Sequence, residues 1–247
     1  MTILADIDTS ILSSHIRASL GELLVNREDV KGFIGFLSGF GRVVVFGGFV
    51  RDAIHNYLHN DKQKYRDLDL VVLGHFQSHR GGPQNNFGGY RKLFADGLKI
   101  DYWTLDSTYA FNKGLFKASL PNLPRTTVFT INACVFEPKE SALYECGAVQ
   151  AIAERRICFN CKDYLNVFPE YQAFRAIDFS RRLRYALDKP VLDFVRSTLA
   201  EVPFSVFLEA VRRHRPEISG AELERIYQQY KSPKILESTL RAGHVVE

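Results

Sequence analysis

The sequence predicts a mixed α/β (α+β) fold: a small mixed sheet with helices over residues 1–163, then a helical domain over 164–247. Three observations carry this. Short apolar or β-branched runs of strand length stand at Arg42–Phe46, Asp67–Leu73, Lys99–Leu105 and Thr127–Phe136. Helical spacing precedes the first run and follows it. From Tyr171 onward only helical spacing remains, with Arg175, Arg181, Arg182, Arg184, Arg212, Arg213 and Arg215 on the polar positions.

Taken in order, Ile11, Ile16, Leu20 and Leu24 recur at near-helical spacing, and Asn26 before Glu28-Asp29 marks a second helix start, so residues 9–39 read as two helices. Arg42–Phe46 is a buried strand. Gly47-Gly48 breaks it, and Phe49–His59 reads as the next helix. Asp67–Leu73 is the second strand, the stretch from Gly81 to Gly89 is a loop rich in Gly, Asn and Gln, and Lys99–Leu105 and Thr127–Phe136 complete the sheet. The chain shows neither an internal repeat nor a low-complexity tract.

With 247 residues, 46% hydrophobic and 24% charged, the chain can bury a sizeable core. It has no apolar run of about 18 residues, so a spanning helix is not expected. The segment Met1-Thr-Ile-Leu-Ala-Asp-Ile-Asp carries acids where a secretory leader carries bases, which points to the cytoplasm. A net charge of +4 suits a nucleotide or nucleic-acid partner as well as an ordinary solvated surface. Cys134, Cys146, Cys158 and Cys161 contain one Cys-x-x-Cys pair without a second pair at zinc spacing, so reduced thiols are the expectation.

The chemistry starts at Asp67 and Asp69. Residues two apart on a strand face the same way, so two carboxylates project side by side while Leu68 and Leu70 enter a core. Such a pair is costly without a cation between the acids. Magnesium, with manganese as a substitute, prefers carboxylate and phosphate oxygens, and phosphoryl transfer commonly uses two such ions. Asp101, inside Lys99-Ile-Asp-Tyr-Trp-Thr-Leu105, is the candidate third acid. About 20 residues before the pair, Gly47-Gly48 joins a strand to a helix; glycines let a phosphate approach the main chain, and the helix start offers N–H groups. Arg51 in that helix's first turn opposes the dipole, as expected of a residue facing an anion, whereas Asp52 suits the first turn as a stabilising acid.

These motifs resemble the head of class II tRNA nucleotidyltransferases (CCA-adding enzymes) and bacterial poly(A) polymerases, within the DNA polymerase β-type superfamily. Gly47-Gly48-Phe49-Val50-Arg51-Asp52 followed by Arg66-Asp67-Leu68-Asp69-Leu70-Val71 is similar to the family's compound motif. Asn86-Phe87-Gly88-Gly89 resembles its flexible loop, Ile100-Asp101-Tyr102-Trp103 its third-acid strand, and Phe129-Thr130-Ile131-Asn132-Ala133 a further motif. Phe174-Arg175-Ala176-Ile177-Asp178-Phe179 and Glu224-Arg225-Ile226 are similar to neck helices, so the likeness covers head and neck.

The resemblance implies a metal-dependent nucleotidyltransferase that moves a nucleoside monophosphate from a nucleoside triphosphate to an acceptor hydroxyl, most naturally a tRNA-like RNA 3′ end. It makes Asp67, Asp69 and Asp101 catalytic and metal-binding. It places Gly47, Gly48, Arg51, Asp52, Asn132, Gln172 and Arg175 at the nucleotide. Departures stand beside it. Thr127-Val128 replaces an Arg-Asp pair, and Phe168-Pro169-Glu170-Tyr171-Gln172 replaces the base-reading Glu-Asp-x-x-Arg, leaving only the Gln172 amide to read a base edge. The second neck arginine is Asp178. Base selection is therefore expected to be non-standard. A catalytically silent nucleotide-binding module, and a toxin or defence effector that modifies tRNA or protein, are the alternatives.

Overall fold

The chain divides into two units, Met1–Glu154 and Arg155–Glu247. The computed structural model describes residues 8–25, 27–65, 67–76, 89–163 and 165–231. Arg66 and the loop from Gly81 through Gly88, both part of motifs named above, lie outside them. The unit boundary falls before the Cys158–Cys161 segment.

In the first unit, α1 (Thr9–Val25) and α2 (Glu28–Ser38) precede β1 (Gly41–Phe46), α3 (Gly48–His59) and β2 (Asp67–Gly74). Then come β3 (Tyr90–Leu93), β4 (Lys99–Thr104), α4 (Tyr109–Asn112), β5 (Cys134–Glu137), β6 (Ala142–Glu145) and α5 (Ala148–Ala153). The six strands form one mixed sheet in the order β3-β4-β2-β1-β5-β6, with β2 and β4 parallel and every other pair antiparallel.

Side-chain alternation divides the sheet into two faces. Val45, Leu68, Leu70, Val72 and Ile100, all buried, lie on one, where Tyr102 meets Phe33 of α2 at a ring separation of 5.2 Å. Val44, Val71 and Val135 lie on the other, packed against Phe111, Leu120 and Leu123 from the segment between β4 and β5. Phe46 and Trp103 extend that second layer with an edge-to-face contact at 5.9 Å.

One corner depends on two glycines. Gly41 and Gly74 pair at the joined ends of β1 and β2. A Cβ on Gly74 would stand 2.0 Å from the carbonyl oxygen of Phe40. Gly74→Ala is therefore expected to destabilise the chain by about 1–3 kcal/mol through overpacking against main chain, read as a lowered urea midpoint at unchanged slope.

One expected strand is corrected. Instead of a continuous strand over Thr127–Phe136, the chain makes a 3₁₀ turn at Thr130–Asn132 and enters the sheet only at Cys134. The turn is held by the bond from Ala133 N–H to the Thr130 carbonyl, and by Thr127 Oγ1 donating to the Phe129 carbonyl. It turns the Asn132 side chain towards α3. The strands β3 and β6, four residues each, carry too little alternation to be read from sequence.

In the second unit, β7 (Arg156–Ile157) pairs in parallel with β8 (Ala186–Leu187), and α6 (Pro169–Leu183), α7 (Lys189–Glu201), α8 (Phe204–Arg212) and α9 (Gly220–Lys231) pack together. Phe174, Ile177, Val195, Leu199, Phe207, Val211, Leu223 and Ile226 form their core. Pro169 opens α6, where the missing N–H costs nothing. Asp188 caps α7 by accepting from Val191 N–H at 2.9 Å.

Candidate active site

The register of three strands sets the site. In the parallel pair β2–β4, Asp69 stands directly opposite Asp101; in the antiparallel pair β1–β2, Phe46 stands opposite Asp69. Paired residues share a face, and Asp67 is two residues from Asp69, so all three acids lie on the face opposite Leu68 and Leu70. Asp67 is exposed, while Asp69 and Asp101 are partly covered. Since Phe46 ends β1 opposite Asp69, the residue that follows it must turn beside that carboxylate. That residue is Gly47.

Gly47 sits at φ 65°, ψ −112°, a conformation open to glycine and strained for any side chain. A Cβ there would lie 3.8 Å from Asp69 Oδ2. The turn is tied to β5: Gly47 N–H donates to the Cys134 carbonyl at 2.9 Å, and the Cys134 thiol lies 3.7 Å from the Gly47 carbonyl. Burial pushes the Cys134 pKa up, so it remains a neutral thiol. The helix α3 then begins at Gly48 without a side-chain cap on its first N–H groups.

Arg51 is buried in α3. It is only 4% exposed. Its Nε donates to Asp52 Oδ1 at 2.7 Å and its Nη1 to Asn132 Oδ1 at 2.6 Å. The first-turn role expected for Asp52 is corrected: α3 starts at Gly48, which puts Asp52 past the first turn, where it partners Arg51. Asn132 is buried and oriented by Arg51, and its own main-chain carbonyl is 4.0 Å from the Cβ position of Gly47. Arg51, Asp52 and Asn132 thus form a polar cluster behind the glycine turn.

Sequence reasoning missed Arg91. On β3 it is the register partner of Asp101, and its Nε and Nη2 donate to Asp101 Oδ1 and Oδ2 at 2.7 Å each, a two-pronged ion pair. Its pKa is raised, chiefly by the bond to Asp101, with the charges of Asp101, Asp67 and Asp69 all acting in the same direction. The signal that could have found it is an arginine ten residues before the third acid, but β3 was not recognisable as a strand. Among the described residues no three His, Cys, Asp or Glu side chains are gathered closely enough to hold an ion as they stand. The donor set still suits a hard divalent cation: three carboxylates on one face of neighbouring strands, with the Arg91 guanidinium bonded to one of them.

Gln172 and Arg175 belong to the second unit. Gln172 is buried in α6, and its Oε1 accepts from Arg175 Nη1 at 3.1 Å. Tyr171 stacks on His214 at 3.9 Å. Asp178 holds Arg215 at 3.2 Å and Arg182 at 3.9 Å, an internal brace where the resembling family has an arginine. Of the other helix arginines, Arg181 pairs with Glu222 and Arg213 with Glu209. No helix among the described residues is long and apolar enough to cross a membrane. All four cysteines are free thiols, with Cys134 and Cys161 buried.

No family model matches the chain, and no curated protein matches it by sequence. Solved structures do match. A CCA-adding enzyme in complex with ATP aligns at a TM-score of 0.56 and 22% identity, covering 88% of this chain and 55% of that one. The Thermotoga maritima CCA-adding enzyme complexed with tRNA aligns at 0.54 and 22%, covering 85% and 53%. A tRNA nucleotidyltransferase complexed with a primer tRNA and an incoming ATP analogue aligns at 0.54 and 21%, covering 81% and 60%. This chain therefore spans little more than half the length of these proteins. What it shares with them over that span is their fold: a mixed-sheet nucleotidyltransferase head followed by helices, as in the CCA-adding enzymes.

Proposed function

We propose that the chain is a metal-dependent nucleotidyltransferase that adds a nucleoside monophosphate to the 3′ hydroxyl of a tRNA-like RNA in the cytoplasm, with base selection unlike that of the CCA-adding enzymes. The observation that carries this is Asp69 standing opposite Asp101, with Asp67 on the same face and the left-handed Gly47 turn alongside. The solved structures of like fold include complexes with ATP, CTP and tRNA, which supports the same ligand classes here.

In the proposed reaction the RNA hydroxyl oxygen attacks the α-phosphorus, the bond from that phosphorus to the bridging oxygen breaks, and pyrophosphate leaves. Asp67, Asp69 and Asp101 would hold magnesium, or manganese in its place, which when bound neutralises phosphate charge and acidifies the attacking hydroxyl. The main chain at Gly47-Gly48 and the uncapped start of α3 would receive the polyphosphate. Arg51, buried with Asp52, serves that surface by orienting Asn132 towards the nucleotide sugar. Gln172 and Arg175 are assigned to the base on the resemblance of α6 to the neck helix.

A catalytically silent nucleotide-binding module is the second reading, favoured by the Arg91 clamp on Asp101. Incubation with each α-labelled nucleoside triphosphate, magnesium and total RNA separates the two. Label on RNA 3′ ends from at least one triphosphate is expected. Nucleotide binding without transfer from any of the four would establish the module instead.

A further inference from the structure

We infer that Arg91 is a built-in cation that occupies the acid cluster until a divalent metal ion displaces it, so that metal binding and release of the Arg91–Asp101 pair are one event. The inference rests on the metal-dependent reading above and extends it to how the site is loaded.

The argument begins with charge. Three carboxylates on one sheet face repel one another, and a positive group beside them relieves that repulsion. Arg91 supplies it. Its fork bonds both oxygens of Asp101 and holds a positive charge against them, so a cation approaching the third acid is opposed by that charge while the pair persists. Lys99, the register partner of Asp67, is also on this face, but no contact joins it to the acids among those described. Arg91 is 53% exposed, whereas Asp101 is 19% exposed. The arginine therefore has solvent to swing into, and the acid is the fixed partner. A long side chain on a four-residue strand at the sheet's edge can leave without disturbing the core, since its neighbours Lys92 and Leu93 are exposed too.

Competition of this kind predicts a gain on removing the competitor. Manganese binding can be followed by the loss of the free-ion electron paramagnetic resonance signal, with no turnover required. Arg91→Gln is expected to bind manganese about tenfold more tightly than the native chain, a coupling of ordinary size for two ligands of one site. Arg91→Lys keeps a charge but loses the fork, and should fall between them. In an Asp101→Asn background, the Arg91→Gln change should alter affinity less than about twofold, because its partner is already gone. Thermal unfolding supplies a second readout. Without metal, Arg91→Gln should melt lower than the native chain, and added manganese should raise its melting temperature by more than it raises the native one.

Unchanged or weaker manganese binding by Arg91→Gln, alongside measurable binding by the native chain, overturns the displacement and leaves the metal-dependent reading standing. Absence of binding by the native chain and every variant at millimolar manganese overturns both. If Arg91→Gln does not fold, an affinity for Arg91→Lys equal to the native one is the overturning result.

Discussion

Asp69→Asn is expected to reduce nucleotidyl transfer by about a thousandfold while leaving the chain as stable as before, or slightly more so. Asp69 is the hub of the site: it faces Asp101 across β2–β4, follows Asp67 on the same face and lies beside the Gly47 turn. Asparagine keeps its shape and one carbonyl oxygen but withdraws the negative charge that would fix a metal ion against the triphosphate. Losing a metal's charge stabilisation costs several kcal/mol in the transition state; roughly 4 kcal/mol is a thousandfold in rate. Stability should not fall in proportion to activity, since asparagine keeps the shape and an accepting oxygen at this half-buried position and lessens the repulsion among the three acids. The discriminating pair of measurements is kcat with saturating triphosphate and RNA, and the urea midpoint. Transfer within about tenfold of the native rate would remove Asp69 from the reaction and with it the present reading of the site.

The legible and illegible parts of this chain divide along physical lines. Strands buried on both faces announce themselves as β-branched runs, which is why Arg42–Phe46 and Asp67–Leu73 match β1 and β2 within a residue at each end. The Asp-x-Asp pair was legible for a related reason. Strand alternation alone sends Leu68 and Leu70 inward and the acids outward, and both leucines are fully buried. The break at Thr127–Phe136 was not legible. Its composition favours a strand, and the long-range partner that draws Asn132 out of it, Arg51, is added to local turn bonds that composition does not reveal. Arg91 was hidden more deeply. A four-residue strand with a polar middle has no periodicity to detect, and its importance comes from the β3–β4 register, which exists only in three dimensions. The helix start at Gly48 also shifted two charges: from sequence Arg51 looks like a first-turn residue facing an anion and Asp52 like a first-turn stabilising acid, yet both lie past that turn and pair with each other.

That buried pair carries the largest stability prediction. Arg51→Ala is expected to destabilise the chain by about 3–5 kcal/mol, because it leaves Asp52 buried and without its guanidinium, and deprives Asn132 Oδ1 of its donor. Both side chains of the Arg51–Asp52 pair are only 5% exposed, so water cannot readily take over. For a unit of this size the loss corresponds to a melting temperature lower by roughly 6–20 °C. The sign depends on which partner goes. Removing one charge strands the other, whereas removing both together spares the desolvation cost of each. Arg51→Met combined with Asp52→Asn should therefore be more stable than Arg51→Ala alone. Its transfer activity should still fall, since Asn132 would no longer be held in place beside the Gly47 turn. A loss below about 1 kcal/mol for Arg51→Ala would place the pair among weak surface bridges and contradict its burial. If the double variant kept native activity, Arg51 would have no part in orienting Asn132, and the polar cluster behind the glycine turn would be scaffold alone.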